Sequence, residues 1–250
     1  MSTRKNILIT GASSGLGKEM ARQFAAKGRN LALCARRVEN LEALKAEIEH
    51  ANPGVTVAIK ALDVCDYDKV FEVFREFDTE LGGLDRVIVN AGMGKGQPLG
   101  TGYFWANRQT AETNFVAALA QCEAALELFR KHNAGHLVMI SSMSAMRGMP
   151  RNLTTYAATK AAVAALAEGI RADLMKSPIE VSTIYPGYIR SEINEKVKNT
   201  PFMVDTETGV RAMVKEIEKE VDEACVPKWP WAPMGVLMRN LPLKTVAKMG

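Results

Sequence analysis

Six short apolar runs punctuate the chain, at residues 6–10, 30–34, 55–59, 86–89, 136–140 and 180–184, each bounded by Gly, Pro, Asp or Asn. Their hydrophobicity is continuous rather than alternating, as in strands buried on both faces of a parallel sheet. Between them the apolar positions change to a helical spacing: Leu41, Leu44 and Ile48, then Val70, Val73, Phe74, Phe77 and Leu81, then Phe115, Leu119, Cys122, Leu126 and Phe129. This alternation predicts an α/β fold, a doubly wound parallel sheet with helices on both faces. No repeat or linker interrupts it, so residues 1–250 read as a single domain. Its core is expected over 5–185, followed over 186–250 by a loop, polar helical segments such as 210–221 and a Trp/Pro/Met-rich tail.

Composition narrows the class of function. Lys and Arg total 32 against 28 Asp and Glu, a formal +4 spread without long like-charge runs, which gives no electrostatic case for nucleic acid. A hydrophobic content of 47% excludes a disordered chain. The longest uncharged apolar stretch near the C-terminus, 229–238, is half the ~20 residues that a spanning helix needs. The N-terminus has no signal-peptide hydrophobic region, so a cytoplasmic protein is expected. Cys34, Cys65, Cys122 and Cys225 have no CxxC spacing and read as reduced structural thiols. His50, His132 and His136 share no ligand spacing, so no metal site is expected.

Two features carry chemistry on their own residues. The first run ends in Thr10-Gly11-Ala12-Ser13-Ser14-Gly15-Leu16-Gly17 and leads into a helical pattern through Met20 and Phe24. A glycine-rich strand-to-helix turn lets backbone N–H groups and a helix N-terminus approach a pyrophosphate. About 20 residues further on, where an acidic residue would bind the ribose of NAD, the chain has Arg36 and Arg37. Two guanidinium groups suit the 2′-phosphate of NADP. The second feature is Tyr156 and Lys160, four apart in a stretch, 154–175, that predicts a helix. An ammonium one turn from a phenol is expected to lower its pKa; reaching neutrality takes roughly 4 kcal/mol, which requires a partly dehydrated site.

With these motifs the sequence resembles the short-chain dehydrogenase/reductase family. Its TGxxxGxG turn matches residues 10–17, and the likeness continues in order through Asn90-Ala91-Gly92, Asn114, Ser141-Ser142, Tyr156-Ala157-Ala158-Thr159-Lys160 and Pro186-Gly187. The resemblance implies a Rossmann fold and NADP(H)-dependent oxidoreduction, with Tyr156 as general acid and base. Lys160 would also hold the ribose hydroxyls. Ser142 would position the substrate carbonyl, although it stands 14 residues before Tyr156 rather than the usual 13, and Ser144 stands 12 before it. Asn114, at a helix distortion, would hold a water linking Lys160 to solvent. Around the cofactor the resemblance implies Gly11, Ser13, Ser14, Gly15, Leu16 and Gly17, then Asp63 and Val64 at the adenine, with Asp63 equally readable as a helix N-cap. Asn90, Ala91 and Gly92 would pass close to it, with Pro186, Gly187, Ile189 and Ser191 at the nicotinamide.

The family's substrate pocket lies in the loops after the fourth, fifth and sixth strands, which here offer Met93, Met143, Met149, Pro150, Tyr188, Phe202 and Met203. Adaptable thioethers favour a bulky apolar ketone, aldehyde or secondary alcohol; the same methionines read equally well as core filler. The tail, 227–250, combines tryptophans, aliphatics and spaced cations. It reads as a lid or subunit contact, with peripheral membrane attachment as the other reading. The resemblance also implies a homodimer or homotetramer. The rival to an enzyme is a catalytically silent dinucleotide-binding sensor, or a membrane-peripheral interaction protein, on the same fold.

Overall fold

A computed structural model describes residues 4–94, 96–191 and 200–248. Continuous apolar runs become seven parallel strands: β1 (Asn6–Thr10), β2 (Asn30–Ala35), β3 (Val57–Ala61), β4 (Arg86–Val89), β5 (Gly135–Ile140), β6 (Ile179–Pro186) and β7 (Glu223–Val226), in the order β3-β2-β1-β4-β5-β6-β7. The third strand starts two residues later than the apolar pattern predicts. The seventh is absent from the six predicted runs. The chain winds outward from β1 through β2 to β3, then returns to the far side of β1 and winds outward through β4 to β7. The order therefore reverses between β1 and β4, where an open α/β sheet leaves a crevice at the strands' carboxyl ends.

Helices cover both faces. On one side α1 (Gly15–Ala25), α2 (Val38–Ala51) and α7 (Thr206–Glu218) bury Met20, Phe24, Leu41, Leu44, Val210 and Met213 against Ile7 and Ile9. On the other, α3 (Tyr67–Leu81), α5 (Ala117–His132) and α6 (Thr154–Leu174) bury Val73, Phe74, Phe77, Phe129 and Val163 against Leu8 and Val87. A shorter α4 (Phe104–Ala111) runs into α5 through one π-helical turn, Glu112–Val116. The tail is not irregular: it forms β7, then α8 (Lys228–Asn240) and α9 (Leu243–Val246). These bury Trp231, Met238 and Val246 in a third cluster with Met143, Met146, Met149 and Tyr185. Among the described residues no helix is long and apolar enough to cross a membrane.

At the opposite end of the strands lies a buried polar network. Arg86, 1% exposed, donates from Nε to His136 Nδ1 at 2.8 Å. That leaves His136 Nε2 to carry the ring proton to Ser182 Oγ (2.8 Å), whose hydroxyl donates to Val221 O. Burial holds the imidazole well below its usual pKa, so it stays neutral. Arg86 also pairs with Glu218 at 2.5 Å, while Arg29 (2.6 Å) and Arg4 (2.8 Å) bind Glu218 and Glu220. The network fixes β4, β5 and β6 to the end of α7, remote from the crevice.

Candidate active site

A cleft of about 600 Å³ opens at the strand-order reversal, within the range of small-molecule sites. The glycine turn after β1 forms its floor. Thr10 Oγ1 accepts from the backbone N–H groups of Asn90 and Ala91 (3.1 Å each), and Asn90 Nδ2 donates to Thr10 O at 2.8 Å. The turns after β1 and β4 are thus latched together. Gly11 sits at φ +66°, and a Cβ there would stand 2.9 Å from Ala91 Cα, so only glycine fits. Ser14 precedes α1 without a side-chain capping bond, and the first turn has no acidic residue. The dipole and N–H groups at that terminus face the cleft through Gly15, Leu16 and Gly17.

Arg36 and Arg37 line the same cleft at the end of β2. Arg37 Nη2 donates to Ser14 Oγ at 2.6 Å and Nε to Ser13 Oγ at 3.3 Å, which holds the glycine turn against the guanidinium. Arg36 Nη1 stands 3.9 Å from Asp63 Oδ2, both side chains largely exposed. Asp63 is not the cap of α3: Asp66 fills that position, accepting from Lys69 N, while Asp63 Oδ1 accepts from Cys65 N at 3.1 Å. Val64 is buried in the core but borders the cleft, as do Ala91 and Gly92.

Ser142, Tyr156 and Lys160 line the same cleft, with Lys160 Nζ beside Gly92. Ser142 stands beside the Tyr156 hydroxyl and favours its ionised form. Its Oγ also accepts from Ser144 N (3.1 Å), capping the 3₁₀ turn Met143–Met146, so the serine beside the phenol is Ser142 and Ser144 belongs to the turn that holds it. A second short turn, Arg151–Leu153, follows before α6, with Arg151 in the left-handed region at φ +57°.

The electrostatics depart from the expectation of an acidified phenol. Burial raises the Tyr156 pKa above the ordinary phenol value, Ser142 opposes this, and Tyr188 adds to the rise. Lys160 Nζ lies 5.9 Å from the Tyr156 ring centroid and donates instead to Ile140 O at 2.9 Å. Burial also lowers its own pKa, to about 8. Desolvation is the first cause of both shifts. At neutral pH the half-buried phenol keeps its proton, beside the Ser142 hydroxyl.

Asn114 occupies the π-helical turn between α4 and α5, 1% exposed and behind the cleft wall. Its Oδ1 accepts from Met93 N (2.8 Å), and its Nδ2 donates to Met93 O (2.9 Å) and Thr159 Oγ1 (3.2 Å). It clamps the turn after β4 to α6, which leaves one lone pair of Oδ1 for the expected water. Pro186, Gly187, Ile189 and Ser191 all border the cleft. The segment is braced by bonds from Arg190 N to Val204 O (3.0 Å) and from Val204 N to Tyr188 O (3.1 Å).

The expected substrate residues divide. Met93 lines the cleft. Met143 and Met149 do not: at 4% and 8% exposure they fill the core under α8. Tyr188 and Phe202 also lie outside the lining, edge-on to Trp231 at 5.6 and 6.3 Å between ring centroids. Trp231 covers Gly187 so closely that a Cβ there would meet the indole at 2.1 Å. The tail is therefore a packed buttress behind the loop after β6. The cleft also includes Cys65, in the turn before α3, and Gln109, Glu112 and Thr113, which the sequence does not single out; on a helix such polar residues look like a solvated face. All four cysteines are free, and burial pushes Cys34 and Cys122 up to about 12.

Comparison with known proteins matches this geometry. The family model described as short chain dehydrogenase covers residues 5–201. An uncharacterized oxidoreductase of Mycobacterium tuberculosis is 54% identical over 240 residues, spanning 96% of this chain and 95% of the relative. The structure of a short-chain dehydrogenase from Sphingobium yanoikuyae in complex with NADPH superposes with a TM-score of 0.82 at 27% identity, covering 93% of this chain and 92% of that one. An alcohol dehydrogenase from the archaeon Thermococcus sibiricus, complexed with 5-hydroxy-NADP, gives a TM-score of 0.79 at 25% identity, over 88% and 95% of the two chains. Six motifs in order, the cleft they line and the family match over most of the chain lead to one conclusion: this protein belongs to the short-chain dehydrogenase/reductase family of oxidoreductases.

Proposed function

We propose that the protein is an NADPH-dependent carbonyl reductase, or alcohol dehydrogenase in reverse, acting on a ketone, aldehyde or secondary alcohol. The observation that carries this reading is the convergence of Ser142, Tyr156 and Lys160 in the cleft whose floor is the uncapped N-terminus of α1. Its donors fit a dinucleotide: side-chain-free N–H groups at a positive helix end for the pyrophosphate, and two arginines with no carboxylate at the end of β2 for a 2′-phosphate. The nicotinamide, when bound, exchanges hydride with the substrate carbon.

The chain's own residues supply the remainder. Arg36 and Arg37 bind the ribose phosphate, with Arg37 exchanging its contacts to Ser13 and Ser14 for it. Asp63 and Val64 border the adenine, and Asn90, Ala91 and Gly92 hold the wall between the two halves of the nucleotide. Pro186, Gly187, Ile189 and Ser191 orient the nicotinamide end. Ser142 donates to the carbonyl oxygen and Tyr156 Oη delivers its proton to the same atom; in oxidation the phenolate takes it back. Lys160 holds ribose hydroxyls and, as an ammonium, favours the phenolate. Asn114 keeps Met93 and α6 in register, with its free Oδ1 lone pair available to a relay water.

Met143 and Met149 lie in the core, where they cannot select a bulky apolar substrate, so the substrate class rests on the carbonyl chemistry. A panel of ketones and aldehydes, assayed for NADPH consumption, tests the reading: turnover with NADPH supports it, and binding without turnover on every carbonyl supports the silent sensor instead.

A further inference from the structure

Helix α8 is apolar on the side that it turns outward, and the function proposed above makes no use of that side. Its inner positions, Trp231, Gly235 and Met238, are buried. On its outer side Val236 is 66% exposed and Leu237 50%, after exposed Ala232 and Pro233; Trp229, extended at the kink that precedes the helical turns, is 80% exposed, and Leu243 at the start of α9 adds 69%. A surface helix ordinarily presents polar groups there. The charge of the segment is as one-sided as its hydrophobicity. Residues 224–250 contain Lys228, Arg239, Lys244 and Lys248 and no Asp or Glu, so the chain's formal +4 resides here, and the other 28 cations balance its 28 carboxylates. Lys228 pairs with Glu216 at 3.1 Å. Arg239, Lys244 and Lys248 have no carboxylate partner among the described residues. Arg147 donates to Arg239 O at 3.4 Å and brings another guanidinium to the rim.

We propose that this face of α8 and α9 docks on an anionic lipid bilayer. Trp229, Val236, Leu237 and Leu243 enter the interface, and Arg239, Lys244 and Lys248 meet the headgroup phosphates. A tryptophan beside cations is suited to the headgroup level. A short apolar stripe and a small basic patch are each weak anchors, and together they make a reversible one. A second copy of the chain is the poorer occupant, because a two-fold contact would set this cationic segment against its own image. The buried face of α8 packs on the turn after Ser142, so docking leaves the catalytic groups untouched. The proposal does not depend on the oxidoreductase reading, and its test needs no turnover.

The test is co-sedimentation of the full-length protein with phosphatidylcholine vesicles, alone or with roughly a third phosphatidylglycerol. The protein should pellet with the anionic vesicles and be released by salt of about 1 M, where charge interactions are screened within ~3 Å. The triple variant Arg239→Gln, Lys244→Gln, Lys248→Gln should lose ~100-fold in partitioning, about fivefold for each cation removed. Trp229→Ser with Leu237→Ser, both at exposed positions, should lose roughly tenfold, with unchanged circular dichroism. Absence of pelleting, equal pelleting on both kinds of vesicle, or variants that pellet like the wild type would overturn the proposal. So would a solution dimer that Val236→Asp dissolves, since it would assign the face to a second copy.

Discussion

Lys160 is held in the fold at a cost, and replacing it with methionine should reveal the size of that cost. Its pKa falls from 10.5 to about 8 by burial, and at 1.36 kcal/mol per unit the buried ammonium destabilises the protein by about 3 kcal/mol at pH 7. The sign follows from proton binding. Between the two pKa values the unfolded chain carries the proton and the folded chain does not, so this destabilisation is complete below pH 8 and fades as the pH rises toward 10.5. Lys160→Met keeps the length of the side chain and removes the charge, but also removes the bond to Ile140 O, a loss of about 1 kcal/mol. The net gain is about 2 kcal/mol at pH 7, or about 0.7 M in urea midpoint at a slope near 3 kcal/mol/M. By pH 10 the remaining charge cost is about 1 kcal/mol and cancels the lost bond, so wild type and variant should converge. Equilibrium urea unfolding of both proteins without cofactor, at pH 7 and pH 10, reads the difference directly. A variant no more stable than the wild type at pH 7, or an advantage that does not shrink with pH, would refute the account of Lys160 as a desolvated ammonium kept for function.

Other outcomes follow from the same geometry. Neutral replacements at Arg36 and Arg37 should raise the KM for NADPH roughly 10- to 100-fold, the value of one or two charge-assisted bonds, and leave the KM for NADH within a few-fold; steady-state kinetics with both cofactors checks it. Because burial holds the Tyr156 phenol protonated, carbonyl reduction should stay level through neutral pH while alcohol oxidation climbs toward alkaline pH, as pH profiles of kcat/KM in the two directions would show. Arg86→Ala leaves Glu218 and the His136 relay without their buried partner. It should cost about 3 to 5 kcal/mol in urea unfolding, with no change in KM for the protein that remains folded.

The strands and the cofactor cradle were legible because both write themselves in local pattern. Continuous apolar runs marked β1, β2, β4, β5 and β6, and the two-residue displacement of β3 preserves the facing of its side chains, which alternate with a period of two. β7 escaped because it is a four-residue edge strand, Glu-Ala-Cys-Val, with one polar start and a proline directly after it. The helical nature of the tail was hidden by three prolines in 227–233, and its buried tryptophan is fixed by a tertiary contact with Gly187 that no local pattern encodes. Met143 and Met149 show the same limit: a thioether suits a pocket and a core gap equally, and only the packing of α8 decides. The spacing of Tyr156 and Lys160 placed them on one helix face, yet the direction of the ammonium was set by Ile140 O on a neighbouring strand.

In the proposed reaction the Tyr156 hydroxyl moves the proton to and from the substrate oxygen. Tyr156→Phe removes that one oxygen, and its turnover with NADPH, on whichever carbonyl the wild type reduces, tests that role most directly alongside the fluorescence-measured Kd for NADPH. A fall in kcat of about 10²- to 10⁴-fold with Kd nearly unchanged is expected; a variant that retains most of the wild-type kcat would show that another group moves the proton.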